Sequence, residues 1–318
     1  MTALPGTGRR TEPIATRFAY GEVLVELGRE NPRLVVLEAD ISKSTQTQHF
    51  AKAFPERFFQ MGCAEANAMV AAAGLATTGK IPFVSTYAVF GSMRACEQVR
   101  SFVAYPRLNV KIAVSHGGIT SANDGPTHQG TEDLGIMRAI PNLTVIMPAD
   151  YYATKKLVRA AAYLEGPVYL RFTRDPVPIL YGPESEFTIG KGVRLREGFD
   201  VTLVAIGDMV AIALEAAEQL GARGLSAEVI DMHTLKPLDG ELLLRSAEKT
   251  RRVVAIEDHQ INGGLGSAVA EALSENLPTP LRRIGLRDTF AESGEYRLLL
   301  KKYGLDAGAV MRAVEQLM

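Results

Sequence analysis

Short apolar runs alternate with helix-patterned segments along nearly the whole chain, and this alternation restricts the fold more than any other feature of the sequence. A helical pattern at 16–27 is followed by an apolar run at 34–37, a small-residue helix at 64–77 and a run at 83–85. The series continues with a helix at 92–104, runs at 110–114 and 143–146, a helix at 153–164 and a run at 168–172. Strands that recur with helices between them predict a doubly wound α/β fold, because a parallel neighbour is reached only by a long crossover. Polar sequence containing Gly and Pro then runs from Asp175-Pro176-Val177-Pro178 to about residue 192, which places a domain boundary there. Beyond it, runs at 201–206, 227–230 and 253–256 with helices at 209–220, 240–248 and 266–274 predict a second, smaller α/β domain. The expected organisation is a flexible lead-in at 1–13, a first domain at 14–185 and a second at 193–318.

Composition removes several function classes. A formal net charge of -1 gives no global field for nucleic acid or an anionic membrane, so any anion site must be built locally. Cys63 and Cys96 are the only cysteines, too few for a disulfide framework and without the paired spacing of a zinc site. No run is long enough to span a membrane and no leader pattern opens the chain. A cytoplasmic setting is the expectation.

In parallel α/β sheets ligands collect beyond the carboxyl ends of strands. Chemistry-bearing residues gather at such places here. After the run at 110–114 come Ser115-His116-Gly117-Gly118 and Asp124-Gly125-Pro126-Thr127-His128-Gln129, two histidines and an aspartate around a Gly-Pro turn. Asp124 and His128 are also compatible with ordinary turn chemistry. Glu65 opens a helix of small and apolar residues, where it reads either as a first-turn cap or as a buried carboxylate facing a ligand nitrogen. Tyr87, Phe90 and Met93 are spaced by three, a stripe suited to a core or to the faces of a flat heterocycle. Arg17, Ser44, His116 and Arg174 are scattered in sequence, yet together can hold a phosphate through charge-assisted hydrogen bonds.

Taken in order, Gly62-Cys63-Ala64-Glu65-Ala66-Asn67-Ala68-Met69, Thr86-Tyr87-Ala88-Val89-Phe90, Ser115-His116 and Asp124-Gly125-Pro126-Thr127-His128-Gln129 resemble the carboxy-terminal part of transketolase, from about Ala15 to the end. The resemblance implies a pyrimidine-binding domain followed by the family's C-terminal domain, and thiamine diphosphate as cofactor. It assigns Glu65 to the aminopyrimidine nitrogen, and Tyr87, Phe90 and Met93 to the aminopyrimidine pocket, with Met93 standing where single-chain members carry an aromatic. It places Asp40 close to the cofactor, Arg17, Ser44, His116 and Arg174 on the sugar phosphate, Asp124 on a donor hydroxyl and His128 near the reacting carbonyl oxygens. His116 is followed by Gly and not Asp, a small departure.

The family holds Mg2+ and the diphosphate with a Gly-Asp-Gly motif, which this sequence lacks; Gly207-Asp208-Met209 is not a substitute. The resemblance thus implies a split transketolase in which an amino-terminal subunit carries the metal, with two copies of each chain. The rival readings are a β subunit of a 2-oxo acid dehydrogenase E1, a deoxyxylulose-phosphate synthase, which differs at His116, and a non-catalytic regulatory subunit. The dehydrogenase subunit has no need for the phosphate set, and Glu65 with His116 and His128 argues against a regulatory subunit.

Overall fold

A computed structural model describes residues 10–318; the part of the expected lead-in at 1–9 lies outside the described residues. Among the described residues twelve strands form two sheets. The first half contributes β1 (Leu34–Glu38), β2 (Phe58–Gln60), β3 (Ile81–Tyr87), β4 (Lys111–Ser115), β5 (Thr144–Ile146) and β6 (Val168–Arg171). The second half contributes β7 (Val193–Arg196), β8 (Val201–Ala205), β9 (Ala227–Asp231), β10 (Thr234–Lys236), β11 (Val253–Gln260) and β12 (Leu281–Leu286). Strand order is β10-β5-β6-β4-β3-β1-β2 in one sheet and β12-β11-β8-β9-β7 in the other. Every pairing is parallel except β10 with β5 and β7 with β9. The fold is the expected α/β class.

Every residue of β1, β3, β4, β6, β8 and β9 is buried, as strands covered by helices on both faces must be. Helix Thr16–Glu30 packs on helix Tyr151–Tyr163, and Lys155 and Arg159 of the latter pair with Glu26 and Glu30 of the former, each at 2.5 Å. The second of these helices begins before the expected residue 153 because the Asp150 side chain accepts from the Ala153 N–H at 2.8 Å.

Three departures from the sequence pattern have physical causes. The segment patterned as a helix at 92–104 is two π turns, Phe90–Arg94 and Val99–Ala104, flanking a short α turn, Cys96–Gln98. Spacing over so few residues does not separate wide turns from ordinary ones, and wide turns recur at functional sites. Strands β2, β7, β10 and β12 carry no clear apolar run, the first and third being three residues long and β12 being broken by Arg282 and Arg283. Finally β10, from the second half, joins the first sheet, where Lys236 Nζ donates to the carbonyls of Arg138 and Ile140.

Candidate active site

Because β1, β2, β3, β4 and β6 are parallel neighbours, their carboxyl ends open on one edge of the sheet. Asp40 follows β1, Glu65 follows β2, Tyr87 ends β3, His116 follows β4 and Arg174 lies past β6. The loop after β4 folds over the turn after β3. His116 lies with its ring centroid 3.9 Å from that of Tyr87, and His128 meets Tyr87 at 5.8 Å and Phe90 at 5.6 Å, edge to face.

His116 is buried, with Nδ1 at 2.8 Å from Ser115 Oγ and Nε2 at 3.9 Å from Asp124 Oδ2. Burial, reinforced by the charges of Arg17, Arg174 and His128, pushes its pKa down to about 2, so the imidazole is neutral at physiological pH. It can exchange a hydrogen bond with an anion but supplies no positive charge. That charge comes from the arginines. Arg174 Nε lies 3.7 Å from Asp124 Oδ2, and its Nη1 donates to Asp175 Oδ1 at 3.2 Å. Arg17 Nη1 donates to the Ser44 carbonyl at 3.0 Å, so the Ser44 backbone, and not its hydroxyl, meets Arg17 here. Burial and then the charge of Arg174 lower the Arg17 pKa, against the pull of Tyr87, Asp175 and Asp124. An anion between the two arginines offsets the effect of Arg174 on Arg17.

Glu65 is 3 % exposed at the start of helix Glu65–Thr77, and the helix has no side-chain cap. Its Oε2 instead accepts from Arg94 Nη1 at 3.1 Å, and the Arg94 guanidinium lies over the Phe90 ring at 4.4 Å. Arg94 is a site residue that sequence reasoning misses, although a buried carboxylate calls for a counter-ion and Arg94 adjoins Met93. Met93 itself is 43 % exposed and presents open surface, not packing between Tyr87 and Phe90.

Asp40 is exposed at φ 64°, and its N–H donates to Gln60 Oε1 at 2.8 Å. The same oxygen accepts from the Gly62 N–H at 3.1 Å, tying the loop after β1 to the one that leads to Glu65. Glu38 completes the clip by accepting from the Ile41 N–H at 2.8 Å, Thr45 Oγ1 at 3.2 Å and Gln60 Nε2 at 3.4 Å. Neither Glu38 nor Gln60 is legible in the sequence as a site-shaping residue. Burial, against the pull of those hydrogen bonds, pushes the Glu38 carboxyl up to about 7 from an ordinary 4.5. The folded chain keeps this proton where the unfolded chain releases it. The stabilisation is therefore complete below the ordinary value and is lost as pH rises through about 7, on the order of 3 kcal/mol at most. Glu38→Gln is expected to flatten the fall in urea midpoint between about pH 5 and pH 8; an unaltered slope would contradict this.

The loop after β4 is conformationally demanding. His116 at φ 63° and Ala122 at φ 45° lie in the left-handed half of φ space without being glycine, each at a cost of roughly 1–3 kcal/mol. Such outliers gather where a site needs them.

The chain is similar to known proteins along most of its length. Residues 12–178 match the family model described as transketolase, pyrimidine binding domain, and residues 190–310 match transketolase, C-terminal domain. A solved split-gene transketolase, described as an inactive beta4 tetramer, is 55% identical with a TM-score of 0.89, covering 96% of this chain and 98% of its own. A 6-deoxy-6-sulfo-D-fructose transketolase subunit of Clostridium sp. (strain MSTE9) is 45% identical, over 94% of this chain and 93% of its own length. One of the subunits of an apulose-4-phosphate transketolase from Phocaeicola vulgatus is 37% identical, over 94% and 96%.

Proposed function

The chain belongs to the transketolase family, and from that premise we propose that it is the carboxy-terminal subunit of a divided transketolase. Together with an amino-terminal subunit it transfers a two-carbon ketol unit between sugar phosphates, with thiamine diphosphate as cofactor. The observation that carries this reading is the juxtaposition of a buried carboxylate and an aromatic pair with an anion-ready pair of arginines, all at one sheet edge.

The residues present fit the aminopyrimidine end of that cofactor. Glu65 is buried beside Phe90, and its partner Arg94 is 54% exposed, free to turn outward when a ring takes its place. Tyr87 and Phe90, with centroids 5.8 Å apart, supply apolar faces, and we assign Met93 and Asp40 to the same cofactor pocket. When bound, thiamine diphosphate supplies the carbon nucleophile and electron sink that cleavage next to a carbonyl requires. Glu65 holds the proton of the ring nitrogen, Asp124 reads a donor hydroxyl and His128 attends the carbonyl oxygens. Arg17 and Arg174 take the phosphate, with the neutral His116 and Ser44 as hydrogen-bonding partners.

The diphosphate and Mg2+ are assigned to the amino-terminal subunit, because the Gly-Asp-Gly motif is absent from this sequence. Exposed apolar side chains support association: Val70 on helix Glu65–Thr77, Met93, Phe102 and Tyr105 all stand open. The similar split-gene protein described as inactive in a beta4 tetramer supports the need for a second chain, and two copies of each is the assembly we infer. The division between the pyrimidine-binding and C-terminal domains is placed at 186–192, where no regular element occurs. A 2-oxo acid dehydrogenase subunit is disfavoured, since a lipoyl acceptor gives the paired arginines nothing to bind.

Which anionic sugar is used is set by the tail group facing Arg17 and Arg174. Arg174→Ala in the two-chain complex is expected to raise the KM for a phosphorylated ketose by about 10²-fold, as loss of a charge-assisted contact does, with kcat changed far less. Equal KM values for wild type and variant would remove the phosphate assignment.

A further inference from the structure

We propose that the second half of the chain positions the sugar-reading loop, with Asp258 of β11 as the positioning residue that clamps the turn between His116 and Asp124. The inference rests on the ketol-transfer reading, and gives the C-terminal part of the fold a defined task in it.

Asp258 is fully buried, and its Oδ1 and Oδ2 accept from the Ile119 N–H at 3.0 and 2.9 Å. Ile119 stands three residues after His116 and five before Asp124, at the start of the turn that joins them. Gly118, at φ 64°, presses against the same carboxylate so closely that a Cβ there would overlap it. The contact is therefore both a hydrogen bond and a steric stop.

Other atoms of the second half hold the rest of the loop. The Gln260 N–H donates to the Thr131 carbonyl at 2.8 Å, the Gly294 N–H donates to the Ala122 carbonyl at 3.4 Å, and Gln129 Nε2 donates to the Glu292 carbonyl at 3.1 Å. Arg171 Nη2 bridges the two halves by donating to the carbonyls of Gly130 at 2.7 Å and Asp258 at 3.0 Å. Without such restraint the left-handed backbone of His116 and Ala122 relaxes, because strained conformers persist only where their surroundings over-determine them. His116, Asp124 and His128 then lose their common geometry.

Packing alone does not explain an acid at this position. Asp258 lies buried near Asp208 and Asp133, with the guanidinium of Arg171 opposing them, and burial followed by the charge of Asp208 raises its pKa well above the usual carboxylate range. An apolar side chain would avoid that penalty but would leave the Ile119 N–H unpaired.

The test compares Asp258→Ala, Asp258→Asn and Gly118→Ala in the two-chain complex, reading kcat and KM for a ketose phosphate, the thiamine diphosphate Kd, and amide hydrogen exchange at Ile119. Asp258→Ala is expected to lower kcat/KM by about 10²-fold, the scale of a misplacement near 1 Å, with the cofactor Kd unchanged and exchange at Ile119 accelerated. Asp258→Asn keeps an acceptor oxygen and should restore kcat/KM to within about threefold of wild type. Gly118→Ala leaves Asp258 intact, forces loop and strand apart, and should reproduce the Ala signature even where Asp258→Ala fails to assemble. Wild-type kcat/KM in a folded Asp258→Ala or in Gly118→Ala overturns the inference, as does a variant in which cofactor affinity falls in step with activity. A wild-type complex without ketol transfer overturns the reaction instead, and hydrogen exchange then still decides whether the clamp exists.

Discussion

Glu65→Ala in the two-chain complex is expected to lower kcat by about 10³- to 10⁴-fold, the upper range for loss of a group that manages a proton in the reaction. The expectation follows from where the carboxylate sits. It is 3 % exposed, it caps no backbone group of its helix, and its partner is a side chain that stands half in solvent. Asp133, by contrast, is paired with the fully buried Arg171 at 3.0 Å. Glu65→Gln retains size and one acceptor oxygen but not the negative charge, and should be nearly as slow as the alanine variant. Both variants should assemble with the amino-terminal subunit, because Glu65 leaves only the exposed Arg94 without its partner. Turnover within about tenfold of wild type would show that Glu65 does not act on the cofactor and would favour the regulatory reading.

The fold was legible where strands are buried on both faces. β1, β3, β4 and β8 announce themselves as short, largely apolar runs, since helices cover both of their faces, with Glu38, Ser85, Thr86, Lys111 and Thr202 as buried polar exceptions. The edge strands were not, because Phe58–Gln60 and Thr234–Lys236 are too short to show a period and are fixed by the neighbour they pair with. The crossing of β10 into the first sheet is likewise a tertiary choice, anchored by Lys236 on carbonyls nearly a hundred residues away.

The site divides along the same line. Arg17, His116, Asp124 and Arg174 stand out in the sequence by type and position, and the structure brings these residues close together. The neutrality of His116 was not readable, because it is set by burial and by two arginines from different elements. Arg94, Glu38, Gln60 and Asp258 were invisible for a related reason. Each acts through a partner that the fold brings to it from another element: Arg94 through Glu65, Glu38 through Thr45, Gln60 through Asp40 and Asp258 through Ile119.

The largest effect expected is all or none. On the proposed assignment the chain supplies the aminopyrimidine and sugar ends of a site, and it has no Gly-Asp-Gly motif for the diphosphate and its metal, so alone it should have no ketol transferase activity. Val70, Met93, Phe102 and Tyr105 are exposed apolar side chains that a second chain would cover. The decisive measurement is ketol transfer from a ketose phosphate while the purified chain, with thiamine diphosphate and Mg2+, is titrated with an amino-terminal subunit that carries the motif. A divided transketolase predicts no turnover without the second chain and a rise to a plateau at equal amounts of the two; turnover by this chain alone would contradict it.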